Sequence, residues 1–409
     1  MRKKVIQFIE DHRDQIVDTL CELVSISSVN PPGQYGEISQ LVEEIFGQFG
    51  LETQRIEVPM EALEVEGVNT PRINVLGTLP GTSTGPTLVL NPHMDVVPVG
   101  DLSKWDGDPF TVRIENGVLY GRGVNDDKGD IAAYAWALRA IRETGRPLKG
   151  KAIIAATVDE ESGGHLGTEF LLEKGYLNPD LAIVEGFTHH VMPASNGVIH
   201  MRITTVGVTS HAAFPEEGLN AIEKMVDVLK ALQTYRDGLY SKQSSVQGIG
   251  HPTLNIGTIQ GGEKTNIVPD QCTVTVDRRV LPEEEAKTVE KEIFNLLADL
   301  KKVDPILKVE ANTELLADSW GPVDRNNSLI VSLCRNIREI TGHEGYIKGI
   351  PGFNDGRFYY RRGIPVALYG AGPMDIKSGR THSYNELLCI EDLIASTKIV
   401  ALTIIDLLG

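Results

Sequence analysis

The chain is poor in cysteine, in net positive charge and in long apolar runs, and each shortage removes a class of function. Its four cysteines, Cys21, Cys272, Cys334 and Cys389, lie far apart and form no CxxC pair. That pattern predicts reduced, packed thiols in a cytoplasm. Lys and Arg number 39 against 56 Asp and Glu, a formal net charge of −17. Nucleic acid and anionic membranes are repelled on average by such a surface, so neither is expected as a partner. No apolar stretch approaches the roughly 20 residues of a membrane span. The opening "MRKKVIQFIEDHRDQ" has too short an apolar part, interrupted by acids, for a signal peptide. It reads instead as an amphipathic helix, with Ile9, Ile16, Leu20 and Val24 on one stripe. Internal repeats and low-complexity segments are absent too.

What is present is length and alternation. At 409 residues the chain exceeds the usual single core, so two domains are expected. "PTLVLN", "DIAAYAWALRAIRE", "KAIIAATV", "TEFLLEKG" and "LAIVEG" alternate strand with helix, which predicts an α/β domain whose mostly parallel sheet is flanked by helices. From about residue 196 the texture changes. Strand "VIHMRITTVGV", helix "GLNAIEKMVDVLKALQTY", strands "PTLNIGTIQGG" and "QCTVTVDRRV", helix "EEEAKTVEKEIFNLLADLKK" and strand "ILKVEANTE" follow the β-α-β-β-α-β order of a ferredoxin-like α+β domain. The α/β texture then resumes with "NSLIVSLCRNIREITG", "IPVALYG" and "CIEDLIASTKIVALTIIDLL". The expected division is one domain over 1–195 and 315–409, interrupted by a smaller one over 196–314.

The polar residues gather at predicted strand ends. Ligands of open parallel sheets bind beyond the carboxyl ends of the strands. His93 and Asp95 follow "TLVLN"; Asp159, Glu160 and Glu161 follow "AIIAATV"; Glu185 follows "LAIV"; His382 lies after "PVALYG"; Asp126 and Asp127 sit in the glycine-broken turn "YGRGVNDDKGD" before a helix. Singly, these residues read as helix caps, solvated turns or ordinary surface histidines. Together they put two histidines and several carboxylates at one rim, where like charges repel unless cations or shared protons hold them. Such a sulfur-free set suits two divalent ions, zinc, cobalt or manganese, better than one structural zinc.

"HMDVVPVGDLSKWDGDPF", "GVLYGRGVNDDKGDIAA", "DEESGGHLGT", "VGVTSHAAFP", "KTNIVPD" and "THSYNE" resemble, in order and over nearly the whole chain, the motifs of the M20 metallopeptidases. Within them the likeness is to the acetylornithine deacetylase and succinyl-diaminopimelate desuccinylase group. The resemblance implies a two-metal hydrolase domain and a lid domain through which monomers dimerise. It implies His93 and Glu185 as ligands of one ion, Glu161 and His382 of the other, Asp126 as the bridge, Asp95 as the acid orienting His93, and Glu160 as general base. On the lid, His211 and Asn266 match residues that steady the oxyanion, the histidine usually from the partner subunit, and Arg279 matches an arginine for a substrate carboxylate. The sequence departs from the family at Pro92, at the "GFTHH" run after Glu185, and in "PGFNDGR", where Phe353 and Asn354 replace small or hydroxyl residues. Asn354 therefore marks a place where substrate is expected. His189 and His190 read as loop residues.

The implied activity is hydrolysis of an N-acyl amino acid or related small amide by metal-activated water in a homodimeric, cytoplasmic enzyme. A dipeptidase, a carboxypeptidase-like enzyme or a hydrolase of aromatic amides or amines would use the same scaffold. A non-catalytic binding protein is the other class, and the intact base and ligand positions speak against it.

Overall fold

In chain order the strands of the two large sheets are β1 (Glu52–Glu57), β2 (Ile73–Leu79), β3 (Thr87–Asn91), β4 (Lys151–Ala156), β5 (Leu181–Val184), β6 (Gly197–Val206), β7 (Thr253–Gly261), β8 (Gln271–Val280), β9 (Lys308–Ala317) and β10 (Val366–Leu368). The structure, a computed structural model, describes all residues except 83, 146 and 374–377. It divides into a first unit of residues 1–193, 323–347 and 354–409, and a second of 194–322 with 348–353.

The first unit's sheet has the order β1-β2-β4-β3-β5-β10. β4, β3, β5 and β10 are mutually parallel, while β2 is antiparallel to both β1 and β4. The continuous apolar run of β3 is buried along its whole length, as a strand covered on both faces requires. The helix Lys128–Glu143 is buried over nearly every residue and packs on the apolar helix Ile390–Leu408. That closing helix in turn packs on Ser328–Thr341, which is punctuated at both ends. Asn327 Oδ1 accepts from Leu329 N–H at 3.0 Å, and Gly342 takes the left-handed C-cap at φ 74°. From β3 the chain moves to β4 on one side, then crosses to β5 on the other. The crevice at the carboxyl end of β3 is thus a topological switch point.

The second unit is the β-α-β-β-α-β arrangement expected from the pattern. Its antiparallel sheet has the order β7-β8-β6-β9, and the helices Ala221–Leu239 and Ala286–Val303 pack against it. Alternate residues of β6 and β8, among them Ile199, Met201, Ile203, Val274 and Val276, join Val228, Leu232, Val289 and Ile293 in one core. Arg278 falls on that buried phase of β8 and is fully buried; its Nη2 donates to both oxygens of Glu284 at 2.8 and 3.0 Å. Its charge is therefore structural.

The opening segment differs from expectation. It forms two helices, Arg2–Asp11 and Arg13–Ser25, because His12 at φ −119° and ψ 23° leaves the helical region. Ile9, Ile16, Leu20 and Val24 are all buried nonetheless.

Candidate metal centre

The switch-point crevice collects the predicted strand-end residues. His93 follows β3, Glu160 and Glu161 form a single 3-10 turn after β4, and Glu185 follows β5 directly. Asp126 stands between two histidines: its Oδ1 lies 3.1 Å from His93 Nε2 and its Oδ2 3.1 Å from His382 Nε2. Glu161 Oε1 is 2.8 Å from the same His382 nitrogen. Ligand atoms of His93, Asp126 and Glu161 all lie within 4.8 Å of one another. One carboxylate thus presents a different oxygen to each of two histidine nitrogens.

Burial shifts the charges of this cluster strongly. Burial raises the carboxyl of Glu160 well above its usual range, with Glu185 adding to the effect. Burial likewise pushes Glu185 up to about 8, Asp355 and Asp126 contributing. Burial alone would lower His93, but its hydrogen bonds with Asp126 and Asp95 raise it well above its ordinary value. Against its burial, His382 and His93 hold Asp126 below its usual range while burial raises Glu160 and Glu185, and divalent cations placed here would favour the ionised form of all three carboxyls.

The candidate ligands are held by a further set of acids. Asp95 is fully buried; its backbone oxygen lies 3.0 Å and its Oδ1 3.5 Å from His93 Nδ1. Its carboxylate also accepts the backbone N–H groups of Glu160 at 3.3 Å and Glu161 at 3.2 Å. Asp95 thus orients a histidine and the turn opposite it. Asp127 Oδ2 accepts from His93 N–H at 3.0 Å. Asp130 Oδ2 accepts from Gly186 N–H at 3.1 Å, and its Oδ1 accepts from Ala371 N–H, so it braces the residues after β5 and β10 instead of capping its own helix. Burial, then proximity to Asp130, raises Asp127 well above its range. Glu386, fully buried, accepts from the backbone N–H groups of Gly123, Asn125 and Asp126 at 3.0 to 3.1 Å and from Arg122 Nη1 at 2.6 Å. Three backbone N–H groups of the loop that presents Asp126 thus converge on this carboxylate.

The sequence counts Asp127 among the rim acids and reads Asp130 as a helix cap, and it offers no reading of Glu386; the acceptor roles of all three come from the fold. An acid inside an otherwise apolar helix start, as at Asp130, was the available signal. Of the other predicted residues, His211 and Asn266 sit on facing loops of the second unit, bridged by Ala212 N–H to Asn266 O at 3.1 Å, and both are exposed. Arg279 lies toward the other end of β8, on the sheet face away from the core, where its Nε and Nη2 donate to Asp277 at 2.9 and 3.0 Å. Asn354 is buried, and its Oδ1 accepts from Gly356 N–H at 3.0 Å, just before the helix Gly356–Tyr360. His189 pairs with Asp392 at 2.9 Å, and His190 joins a short strand with Tyr346.

A model of the family described as Peptidase family M20/M25/M40 matches residues 89–406. The N-formyl-4-amino-5-aminomethyl-2-methylpyrimidine deformylase of Halalkalibacterium halodurans is 27% identical over 97% of this chain and 95% of its own. An acetylornithine deacetylase of Proteus mirabilis is 34% identical over 66% of this chain and 70% of its own. Among solved structures, a dipeptidase from Saccharomyces cerevisiae superposes with a TM-score of 0.81 at 16% identity, covering 99% of this chain and 98% of that one, a likeness of fold.

Proposed function

The chain belongs to peptidase family M20/M25/M40 and is a metal-dependent hydrolase of amide bonds, and from that premise we propose that it removes the acyl group from a small N-acyl amino acid or a related small amide. The observation that carries this reading is Asp126, set between His93 and His382 with the buried Glu160 on the neighbouring turn. His93 and Glu185 would hold one ion, Glu161 and His382 the other, and Asp126 both. The nitrogen and oxygen donors suit Zn²⁺ first, then Co²⁺ or Mn²⁺. Bound there, two divalent ions supply a water of lowered pKa and a polarised carbonyl.

The chain's own groups do the rest. Glu160 takes the proton from the attacking water and hands it to the departing amine nitrogen. Asp95 fixes the imidazole of His93. On the second unit, His211 and Asn266 donate to the carbonyl oxygen as it gains charge, and Arg279 receives a substrate carboxylate through its planar fork. The second unit acts as lid and dimerisation domain, with His211 supplied by the partner subunit. Its edge strand β7 leaves one side of its ladder unpaired and exposes Ile259, and the adjoining helix exposes Ile222 and Val226; an apolar edge of this kind favours pairing with a second copy. A cytoplasmic setting agrees with four free cysteines. No described helix is long and apolar enough to cross a membrane.

The Halalkalibacterium halodurans relative is named as a deformylase of N-formyl-4-amino-5-aminomethyl-2-methylpyrimidine, so N-formyl and N-acetyl compounds are the first acyl class to test. Zinc- or cobalt-loaded protein is incubated with N-formyl and N-acetyl amino acids, N-formyl aromatic amines and dipeptides, and free amine is measured. Release from an N-acyl compound is expected. Turnover of dipeptides alone would move the assignment to a dipeptidase, and no turnover of any of them would remove it.

A further inference from the structure

β2, which runs against β4, begins at the carboxyl end of that strand: the register pairs Val75 with Ala156, so residues 72–74 lie beside the turn that carries Glu160 and Glu161. Asn74 is fully buried and brackets this segment. Its Oδ1 accepts from Val158 N–H at 3.1 Å, and its Nδ2 donates to Leu166 O at 3.0 Å. Arg72 Nε donates to Asp159 Oδ2 at 2.6 Å, with the two side chains only 4% and 6% exposed. Asp159 Oδ1 also accepts from Tyr35 OH at 2.7 Å and from Asn30 Nδ2 at 2.9 Å.

Asp159 needs this grip. Its φ of 62° lies in the left-handed region, uncommon for a residue other than glycine, and it is the residue from which the Glu160–Glu161 turn starts. Arg72 ties a second segment to the same point, since Nη1 donates to Gly33 O at 2.8 Å and Pro32 O at 3.1 Å. A Cβ on Gly33, at φ 72°, would meet Arg72 Nη2 at 2.8 Å, so glycine is what admits the guanidinium. Stability alone is a weak reason for such a pair, because the desolvation of two buried charges largely offsets their attraction.

We infer that Arg72, Asn74 and Tyr35 are positioning residues, which hold Asp159 and the segment 158–166 so that Glu160 and Glu161 project from their turn at fixed points. The inference rests on the roles proposed for those two glutamates. Arg72→Met and Tyr35→Phe test it in the full chain, together with Glu161→Ala as a control, by steady-state kinetics of the zinc-loaded enzyme and by calorimetric titration of metal-free protein with Zn²⁺. Arg72→Met is expected to lower kcat about 100-fold with KM changed less than about 3-fold, because a small misplacement of the base costs rate and not binding. It is also expected to weaken the Zn²⁺ held by Glu161 by about 10- to 100-fold. Tyr35→Phe deletes one hydroxyl and should lower kcat by about 10-fold.

A folded Arg72→Met protein with wild-type kcat and Zn²⁺ affinity overturns the clamp. If Arg72→Met does not fold, Tyr35→Phe decides, and unchanged kcat and affinity there overturn it equally. Should Glu161→Ala leave Zn²⁺ affinity untouched, the assigned roles fail and take the clamp with them. If Glu161→Ala weakens Zn²⁺ while Arg72→Met does not, the clamp alone fails.

Discussion

The rim of the central sheet and the loops of the second unit present their candidate residues in opposite states. At the rim, His93 and Glu160 are buried, and Asp95 alone ties the ring of the first to the backbone of the second. In the second unit His211 and Asn266 are exposed, and His211 Nδ1 is occupied by the nearby Ala213 N–H at 3.0 Å. Groups that hold ions and a proton must be preorganised, since any movement during the reaction raises the barrier. Groups that meet only a developing charge on substrate can wait in solvent until a lid brings them in. The rim should therefore fail all at once when its cations leave, and the lid residues should fail in rate alone.

Removal of the cations is the largest test of that contrast. Dialysis against a chelator should abolish turnover, and Zn²⁺, Co²⁺ or Mn²⁺ should restore it. Full activity in protein shown by elemental analysis to be metal-free would leave the rim with no catalytic task. Next in size, Glu160→Ala should lower kcat by about 10² to 10⁴ with two ions per chain retained, whereas Glu161→Ala should lose one. The reverse pattern of metal content would exchange the two assignments.

The lid side is tested by His211→Ala, expected to lower kcat by about 10² to 10³ while leaving metal content and KM nearly unchanged. If the second unit dimerises as proposed and the partner supplies His211, mixing that inactive chain with Glu160→Ala should restore activity, because a mixed dimer would contain one site with both groups intact. Mixed dimers that form and stay inactive would confine His211 to its own chain or remove it from the reaction.

Much of this contrast was legible in the sequence, and the boundary of legibility has a physical cause. The strand-end acids and histidines could be read because a parallel sheet sends every strand's carboxyl end to one rim, so "TLVLN" followed by His93 already locates that side chain. The second unit's order of elements followed from alternation of the same kind. What could not be read was contact between elements whose pairing the pattern leaves open. Arg72 and Asn74 stand before an apolar run like many polar residues, and only the antiparallel placement of β2 beside β4 carries them to Asp159. Glu386 lies four residues beyond His382 and showed no sign that its carboxylate gathers three backbone N–H groups of the Asp126 loop. The N-terminal apolar stripe is legible as an amphipathic helix, yet the break at His12 that makes two helices of it leaves no mark on apolar periodicity.

The smallest expected effect compares a histidine–acid pair in each unit, His165 with Glu169 in the first and His200 with Asp277 in the second. Burial would raise Glu169, but His165 and Arg361 outweigh it and bring its carboxyl down to about 2, from an ordinary 4.5. Because the folded-state value is depressed, the stabilisation is complete above about 4.5 and is lost as pH falls toward about 2. His165 is shifted the other way, its proton held chiefly by Glu169, so its share is present below 6.5 and fades as pH rises above its raised value. Glu169→Gln should therefore cost most between about pH 4.5 and 6.5, by about 1 kcal/mol, well under the full shift because the pair is partly solvated. Asp277 is lowered against its burial by His200 and Arg279, so Asp277→Asn should likewise lose its effect as the solution is acidified. Urea unfolding at pH 3, 5.5 and 8 measures both. A Glu169→Gln penalty that does not shrink at pH 3 would show that the carboxylate contributes through packing and not through its charge.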